Sequence, residues 1–363
     1  MKVIQLLYSG LGGHGSVFFS LMNGLKRFSF SHFAIFYGVE ELKVEYKAKC
    51  LEGGIPYKYI SKKEGLDITS WKSVFNTLVR EEPSVVILHS LNLIVVALIA
   101  RFFCSYKLIA VEHTSNSIKN KSEWLWSLFA MLFADNVVVL TATYEEELKS
   151  RLGIVFKYKK TKVINNGIDT DLYSPLVKAK QMDEPFVLTM QARFTSSSKD
   201  FETIIQAVAE LVKDKNVENN FKVVLAGSGE TLAAMKSLVN ELEIQDYITF
   251  PGMLGEEELV KLLQNTDIYL HSSLAEAMST AVMQALSVGL PVIATDIPGI
   301  NNMVMDNQNG LLFSPRNVTK LKELLIFLLS NPSERIRLGN NARAYAQKYL
   351  SQTLMADSYK HLF

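Results

Sequence analysis

Residues 221–230 read Phe-Lys-Val-Val-Leu-Ala-Gly-Ser-Gly-Glu. The apolar run Phe221–Ala226 predicts a buried strand, and the two glycines that follow predict a tight turn. The next residues, Glu230–Glu243, have the apolar spacing of a helix. A strand that turns directly into a helix is the repeating unit of a doubly wound α/β sheet.

The same alternation of apolar runs and helical patterns extends over the whole sequence. Further strands are predicted at Lys2–Tyr8, Phe33–Tyr37, Ser84–Leu88, Lys107–Val111, Asn136–Leu140, Lys162–Ile164, Phe186–Met190, Tyr247–Phe250, Asp267–His271 and Pro291–Ala294. Further helices are predicted at Lys199–Val212, Glu256–Gln264 and Leu321–Leu329. Continuous apolar strands between helices indicate parallel sheets covered on both faces. We therefore expect an α/β protein with two Rossmann-like, doubly wound domains that face a deep cleft.

The expected break between the domains lies near Asp171–Pro185, where two prolines bracket a polar stretch without strand or helix pattern. This predicts an N-terminal domain at residues 1–175 and a C-terminal domain at 176–340. Residues 341–363 are expected to form helices that pack back toward the N-terminal domain.

Composition excludes several classes of protein. The 363 residues allow two ordinary domains. Lys plus Arg total 38 and Asp plus Glu total 37, which argues against a general nucleic-acid binder. The longest apolar run, Leu91–Ala100, is too short to cross a bilayer, which needs about 20 residues. We expect a cytoplasmic protein, with contact at the cytoplasmic face of the membrane left open.

Two cations follow the first strand of the second domain. Arg193 comes directly after the strand, and Lys199 is expected to open the next helix. Cations at the two ends of a loop can grip a diphosphate through charge-assisted hydrogen bonds of about 1.5–3 kcal/mol each. The alternative is a pair of ordinary surface side chains.

Three glycine or helix-start segments accompany these cations. Gly227 and Gly229 permit close approach of a phosphate to the backbone, although a tight turn alone also explains them. Glu276 precedes a helix whose expected first amides belong to Met278, Ser279 and Thr280, and Ala277 is expected to join this donor-binding segment. The amides suit phosphate and the carboxylate suits sugar hydroxyls, whereas helix capping is the alternative role of Glu276. Pro298-Gly299 adds another turn after a strand.

These segments together resemble glycosyltransferase family 4, the retaining GT-B glycosyltransferases. Similar motifs lie at Val163–Asp169 (V-I-N-N-G-I-D), Val224–Glu230, Ser272–Thr295 and Asn309–Leu312 (N-G-L-L). The resemblance implies a glycosyltransferase (EC 2.4 class) with the donor in the C-terminal domain and the acceptor on the N-terminal side. It implies retention of anomeric configuration, a nucleotide-sugar donor with UDP favoured, and no metal or other cofactor. Arg193 and Lys199 match the family's phosphate-binding cations.

The sequence departs from the family at three places. The second glutamate of the motif is Gln284, which can still accept from ribose hydroxyls but without charge, so we expect weaker or altered nucleotide binding and not its loss. Ala277-Met278-Ser279 replaces a Gly-Phe-Gly-like triplet, and a glutamate is replaced near Asn302. Asp169-Thr170-Asp171, the only Asp-x-Asp, lies in the interdomain motif and is interpreted as structural.

The first domain offers further candidates by resemblance. Gly12 and Gly13 match a double glycine that approaches the donor phosphate, and His113 matches a histidine near the reacting sugar. A strand-end histidine paired to backbone is the alternative role of His113. Lys119, Lys121 and the aromatic residues of 116–133 suit a helix on an anionic membrane, with packing on the domain core as the alternative.

The resemblance implies a glycan or lipid-linked acceptor, as in the assembly of cell-surface polysaccharide or lipopolysaccharide. Two alternatives remain open from the residues. One is a catalytically impaired GT-B subunit that binds a partner, which the change at Gln284 keeps possible. The other is a GT-B sugar-nucleotide epimerase, which would need carboxylates placed for proton transfer.

Overall fold

A computed structural model describes residues 1–10, 13–65, 67–176, 184–215 and 218–363. The chain forms two compact units. The first comprises Met1–Gly167 with Gln352–Phe363, and the second comprises Ile168–Ser351. The chain thus changes unit at Gly167, before the predicted boundary at 175, and again at Ser351. Residues 177–183 of the predicted linker lie outside the described residues.

The first unit is built on a parallel sheet of seven strands in the order β3-β2-β1-β4-β5-β6-β7. The strands are β1 (Lys2–Tyr8), β2 (Ser31–Gly38), β3 (Tyr57–Ser61), β4 (Val85–Leu88), β5 (Lys107–Val111), β6 (Asn136–Val139) and β7 (Thr161–Val163). The helices are α1 (Gly13–Leu25), α2 (Val44–Glu52), α3 (Ile68–Glu81), α4 (Ile94–Ala100), α5 (Lys121–Phe133) and α6 (Ala142–Leu152). Short 3-10 helices lie at Leu91–Leu93, Asn116–Ile118 and Gly153–Val155.

The second unit has a parallel sheet of six strands in the order β10-β9-β8-β11-β12-β13. The strands are β8 (Phe186–Gln191), β9 (Phe221–Ala226), β10 (Ile248–Gly252), β11 (Ile268–His271), β12 (Val292–Thr295) and β13 (Gly310–Phe313). The helices are α7 (Phe201–Val212), α8 (Leu232–Glu241), α9 (Glu256–Gln264), α10 (Thr280–Val288), α11 (Val318–Ser330) and α12 (Pro332–Tyr349).

The last helix, α13 (Gln352–Lys360), belongs to the first unit and packs on α1. Gly24 allows the close approach, because a Cβ there would lie 2.5 Å from the carbonyl oxygen of Gln352. Arg27 and Asp357 add an ion pair of 2.5 Å. Of the terminal segment at 341–363, residues 352–363 lie in the first unit, whereas residues 341–351 lie in the second.

Both predicted parallel sheets are confirmed. Their central strands are apolar because helices cover them on both faces, as the buried runs Val85–Leu88 and Val292–Thr295 show. Two strands escaped prediction, and both lie at sheet edges. Tyr57–Ser61 is mixed in polarity because an edge strand has fewer neighbours, and Gly310–Phe313 is short and begins with glycine.

In the described part of the chain, no helix combines the length and apolarity needed to span a bilayer.

Candidate functional site

The second unit brings Lys199 and Glu276 together at the carboxyl ends of its strands. The segment before α7 runs antiparallel to the segment after β11, with a bridge between Lys199 and Ser273. The amide of Asp200 donates to the carbonyl of Ser272 at 3.1 Å, and the amide of Leu274 donates to the carbonyl of Ser198 at 2.8 Å. These backbone bonds place the Lys199 ammonium in an ion pair with the Glu276 carboxylate.

The Glu276 carboxylate is held by three side chains. Its Oε1 accepts from the Lys199 ammonium, from the Ser273 hydroxyl at 3.0 Å and from Nε2 of His271 at 2.9 Å. Burial raises the pKa of Glu276, but the charge of Lys199 and the hydrogen bond from His271 lower it more, to about 2. Glu276 is therefore a carboxylate at neutral pH and remains an acceptor for hydroxyl groups.

His271, at the end of β11, was not assigned a role from the sequence. Its side chain is fully buried, and burial lowers its pKa although the bond to Glu276 opposes that shift. A neutral ring that donates through Nε2 leaves Nδ1 as an acceptor, and Nδ1 has no hydrogen-bond partner among the described residues. His271 therefore orients the carboxylate without adding charge. Its place beside the Ser272–Glu276 loop was the available sequence signal.

The start of α10 lies directly after this loop. The helix begins at Thr280, so the backbone amides of its first turn, which have no acceptor inside the helix, begin there. Ala277 and Met278 lie before the helix. Ser279 occupies the N-cap position, yet its side chain makes no capping bond and lies 3.2 Å from Nε2 of His271. The first-turn amides are thus not capped by Ser279, and a helix N-terminus of this kind favours an anion.

Gly299 supports the Glu276 loop from outside. Its φ is +85°, and a Cβ there would lie 2.5 Å from the carbonyl oxygen of Glu276. Thr295, at the end of β12, reinforces the same loop by exchanging two hydrogen bonds with the backbone of Ser273, at 3.1 and 2.9 Å. The predicted turn at Pro298–Gly299 therefore acts through packing on the carboxylate segment.

Arg193 is exposed on the loop between β8 and α7. Phe194, in this loop, stacks on Phe201 at the start of α7, and the two ring centroids lie 3.8 Å apart. Hydrogen bonds from Ser196 and Thr195 lower the pKa of Glu230, and the positive charge of Arg193 adds to this effect. Arg193 thus lies on the loop that ends at Lys199.

Lys199 does not open a helix, contrary to the sequence expectation. α7 begins at Phe201, and Asp200 caps it by accepting from the amide of Thr203 at 3.2 Å. Lys199 instead pairs with Ser273 in the bridge. Asp200 is a better cap than lysine because its carboxylate can accept from the free amides of the first turn.

Gly227 and Gly229 have a packing role in the structure. A Cβ on Gly227 would lie 1.9 Å from the carbonyl oxygen of Ala192, and one on Gly229 would lie 2.2 Å from that of Phe194. The glycine turn therefore packs directly on the backbone of the Arg193 segment. This close approach requires glycine independently of any ligand.

Gln284 lies on the buried side of α10, and its Oε1 accepts from Nε2 of Gln191 at 2.6 Å. Its side chain also hydrogen-bonds Tyr173, whose pKa is raised by burial.

Asp169, in the only Asp-x-Asp, accepts from the backbone amides of Asp171 and Leu172 at 3.1 and 3.0 Å, a local turn. Within the described residues, no group of three or more His, Cys, Asp or Glu could hold a metal ion.

The first-unit candidates lie at the carboxyl edge of the first sheet. Gly13 begins α1, whereas Gly12 lies outside the described residues. Nε2 of His113 lies 2.8 Å from Nδ1 of His89, and Nε2 of His89 lies 2.9 Å from Oε1 of Gln5. With the amide oxygen of Gln5 as acceptor, a neutral His89 donates through Nε2 and accepts from Nε2–H of His113. The ring of His89 is thus one hydrogen-bond partner of His113.

Lys119 is buried rather than facing solvent. Its ammonium pairs with the carboxylate of Glu112 at 2.8 Å, and both side chains are 1% exposed. The hydroxyls of Ser127 and Tyr144 complete the cluster, at 2.9 Å from the ammonium and 3.2 Å from the carboxylate. Lys119 therefore anchors residues 116–120 to the first unit, and Lys121 remains exposed.

We expect Lys119→Met to lower the free energy of unfolding by about 3–5 kcal/mol, because it leaves the Glu112 carboxylate buried without its cation. Urea unfolding followed by circular dichroism measures the change. The exposed neighbour provides the control, and Lys121→Met should change stability by no more than about 0.5 kcal/mol. Equal losses of unfolding free energy in the two variants would show that the buried ion pair stabilises the protein no more than an exposed lysine does.

Comparison with known proteins places these features in a family. Residues 11–172 match the family described as Glycosyltransferase Family 4, and residues 176–345 match Glycosyl transferases group 1. The chain is 26% identical over 275 residues to an uncharacterized glycosyltransferase of Methanocaldococcus jannaschii, covering 72% of this chain and 69% of that protein. It is 31% identical over 118 residues to the alpha-monoglucosyldiacylglycerol synthase of Streptococcus pneumoniae, covering 32% of this chain and 26% of that protein.

The crystal structure of the Anabaena protein HepE with UDP and glucose superposes with a TM-score of 0.84 at 18% identity, covering 99% of this chain and 98% of that one. A likeness at this identity shows the fold. The two parallel-sheet units therefore have the GT-B architecture of glycosyltransferases. The chain belongs to glycosyltransferase family 4.

Proposed function

We propose that the protein transfers a sugar from a nucleotide-sugar donor to a hydroxyl acceptor, with retained anomeric configuration and without a metal ion. The observation that carries the proposal is the contact between Lys199 and Glu276 beside the start of α10. This arrangement combines a cation, first-turn amides and a carboxylate. The cation and the amides suit a diphosphate, and the carboxylate suits sugar hydroxyls.

In the proposed reaction, the bond between the anomeric carbon and the diphosphate oxygen breaks, and the electron pair leaves with the diphosphate. The acceptor hydroxyl oxygen forms the new bond on the same face of the sugar. Its proton passes to the leaving phosphate oxygen. Lys199, Arg193 and the first-turn amides of α10 stabilise the charge that develops on the diphosphate, and no protein nucleophile takes part.

When the donor binds, the Lys199 ammonium must exchange its partner, the Glu276 carboxylate, for the diphosphate. In the structure the ammonium is neutralised by Glu276, whose carboxylate also accepts from Ser273 and His271. When a diphosphate replaces Glu276 as the partner of the ammonium, the Ser273 hydroxyl and Nε2 of His271 still donate to the carboxylate and hold it in place. Glu276 is thereby kept oriented for the sugar hydroxyls while Lys199 turns to phosphate.

UDP is the favoured nucleotide, which the UDP complex of the similar HepE structure supports. A glycan or lipid-linked acceptor is proposed, with surface polysaccharide or lipopolysaccharide assembly at the cytoplasmic face of the membrane as the setting. The glycosylated diacylglycerol in the name of the Streptococcus pneumoniae relative, alpha-monoglucosyldiacylglycerol synthase, supports a lipid-linked acceptor. Membrane contact by residues 116–133 is part of the proposal, and the exposed side chains of Leu125, Leu132 and Phe133 support it.

A thermal-shift screen with UDP, GDP, ADP and CMP tests the nucleotide, followed by transfer assays with the matching sugars in the presence of EDTA. We expect one nucleotide to raise the melting temperature, EDTA to leave transfer unchanged, and NMR of the product to show the donor's anomeric configuration. An inverted product or a strict need for Mg²⁺ would contradict the mechanism. Binding without transfer would favour a subunit without catalysis, and an isomerised donor would favour an epimerase.

A further inference from the structure

The amino edge of the first sheet carries large apolar side chains that are exposed to solvent. Phe102 is 89% exposed and Phe103 is 68% exposed, just before β5. Phe133 is 50% exposed, just before β6, and Ile154 is 97% exposed in the connection to β7. Isolated exposed apolar residues are common, but a patch of them marks an interaction surface. We call Phe102, Phe103, Phe133, Ile154 and Tyr158 the apolar edge.

The topology makes this surface continuous. β5, β6 and β7 are neighbours in the sheet, so the segments that precede them lie side by side. Nη1 of Arg101 donates to the carbonyl of Phe133 at 3.5 Å, which joins the first segment to the second. Nζ of Lys160 donates to the carbonyl of Leu132 at 3.0 Å, which joins the second to the third.

One segment of the same edge is strongly basic. Residues 151–162 read Arg-Leu-Gly-Ile-Val-Phe-Lys-Tyr-Lys-Lys-Thr-Lys, which contains five cations and no acidic residue. Lys157, Lys159 and Lys162 are exposed in this segment, and Tyr158 is itself 54% exposed. The formal net charge of the whole chain is only +1, so this segment concentrates positive charge at one place.

The rings of α5 extend the surface along the helix. Trp126 and Phe129 lie 6.3 Å apart, and Phe129 and Phe133 lie 5.9 Å apart. The exposed side chains of Leu125 and Leu132 flank this row. The buried face of α5 is formed instead by Ser127, Ala130 and Met131. The row thus leads from the apolar edge toward the N-terminus of α5.

We propose that the apolar edge and the lysines of 157–162 dock the protein on an anionic lipid bilayer. The proposal deepens the membrane contact of the proposed function, on which it rests, and moves its basic component away from Lys119. Aromatic and aliphatic tips enter the boundary between headgroups and acyl chains, while lysine stems lie along it and their ammonium groups meet lipid phosphate.

Sedimentation with vesicles of phosphatidylcholine containing 30% phosphatidylglycerol, at low salt, tests the docking surface in the full chain. We expect Phe102→Ser with Ile154→Ser to weaken binding by about tenfold or more, because each loses an apolar group that would enter the lipid. Lys157→Gln, Lys159→Gln and Lys162→Gln together should also weaken binding by about tenfold or more and remove most of its salt dependence. These side chains are exposed, so the fold should tolerate the changes.

Val44→Ser with Leu51→Ser is the matched control, because these residues of α2 are 79% and 75% exposed and belong to the same unit. This variant should bind vesicles like the wild type. Wild-type protein that fails to sediment, or an equal loss in the control, would overturn the proposal. Binding that is as strong to pure phosphatidylcholine would overturn the role of the lysines.

The thermal shift produced by UDP is measured on the same preparations. Wild-type protein that fails to bind vesicles but keeps its nucleotide shift rejects only the docking surface. Vesicle binding without any nucleotide shift rejects the proposed donor and leaves the docking surface standing.

Discussion

Lys199→Ala should reduce sugar transfer by about 10²–10³-fold while the fold persists. The ammonium forms an ion pair with Glu276, and in the proposed reaction it neutralises the departing diphosphate. Removing one group that stabilises developing charge has an effect of this size. Steady-state transfer with the donor found in the nucleotide screen measures it, and the loss should appear in kcat as well as in kcat/KM.

Lys222→Ala is the matched control for this change, because Lys222 is an exposed lysine on β9 of the same unit. The control should keep wild-type turnover. Near-wild-type turnover in Lys199→Ala would refute the role of the ammonium. Circular dichroism of both variants separates a lost cation from a lost fold.

The same substitution should change the acid stability of the protein. The folded-state pKa of Glu276, about 2, lies below its ordinary value, so its contribution to stability is present above pH 4.5 and is lost as pH falls toward 2. Without the charge of Lys199, burial raises the folded-state pKa of Glu276 toward or above its ordinary value, so the variant should lose less stability than the wild type as pH falls below 4.5. Urea unfolding of the wild type and the variant between pH 3 and 7 measures the shift.

Gly299→Ala should lower both stability and transfer, although Gly299 supplies no chemical group. The added methyl carbon would lie 2.5 Å from the carbonyl oxygen of Glu276, and the φ of +85° is unfavourable for alanine. The segment that carries the Glu276 carboxylate must therefore shift. We expect a loss of about 2–4 kcal/mol in the free energy of unfolding, together with at least a tenfold loss of transfer.

Gly252→Ala isolates the conformational part of that effect. Gly252 has a φ of +81°, but a Cβ there would meet no atom within 4 Å. This variant should lose only about 1–2 kcal/mol and keep its turnover. If the two variants lose stability and activity equally, contact with the Glu276 backbone is not what makes glycine necessary at position 299.

Much of the fold was accessible from local patterns in the sequence. Central strands such as Lys2–Tyr8 and Lys107–Val111 agree with their predicted bounds, because burial on both faces demands an unbroken apolar run. The edge strands β3 and β13 were missed because burial there is less complete or the strand is short. The start of α7 was misplaced because Asp200, not Lys199, satisfies its first amides.

The candidate site could be predicted only in part from local patterns in the sequence. The types of residue at strand ends pointed to a diphosphate, but their partners are distant in sequence. Lys199 meets Glu276 because the backbone segments that carry them pair in the tertiary structure. The role of His271 likewise emerges only once its ring is seen buried against the carboxylate.

Local sequence is thus sufficient for two parallel-sheet units and for the family, because strand burial and glycine turns act over a few neighbouring residues. Which charges face solvent and which are neutralised depends on contacts between remote segments. The local sequence does not distinguish Lys119 from Lys157, yet Lys119 forms a buried ion pair and Lys157 is exposed. Packing makes that distinction, because only the folded surroundings determine whether a charge meets water or a partner.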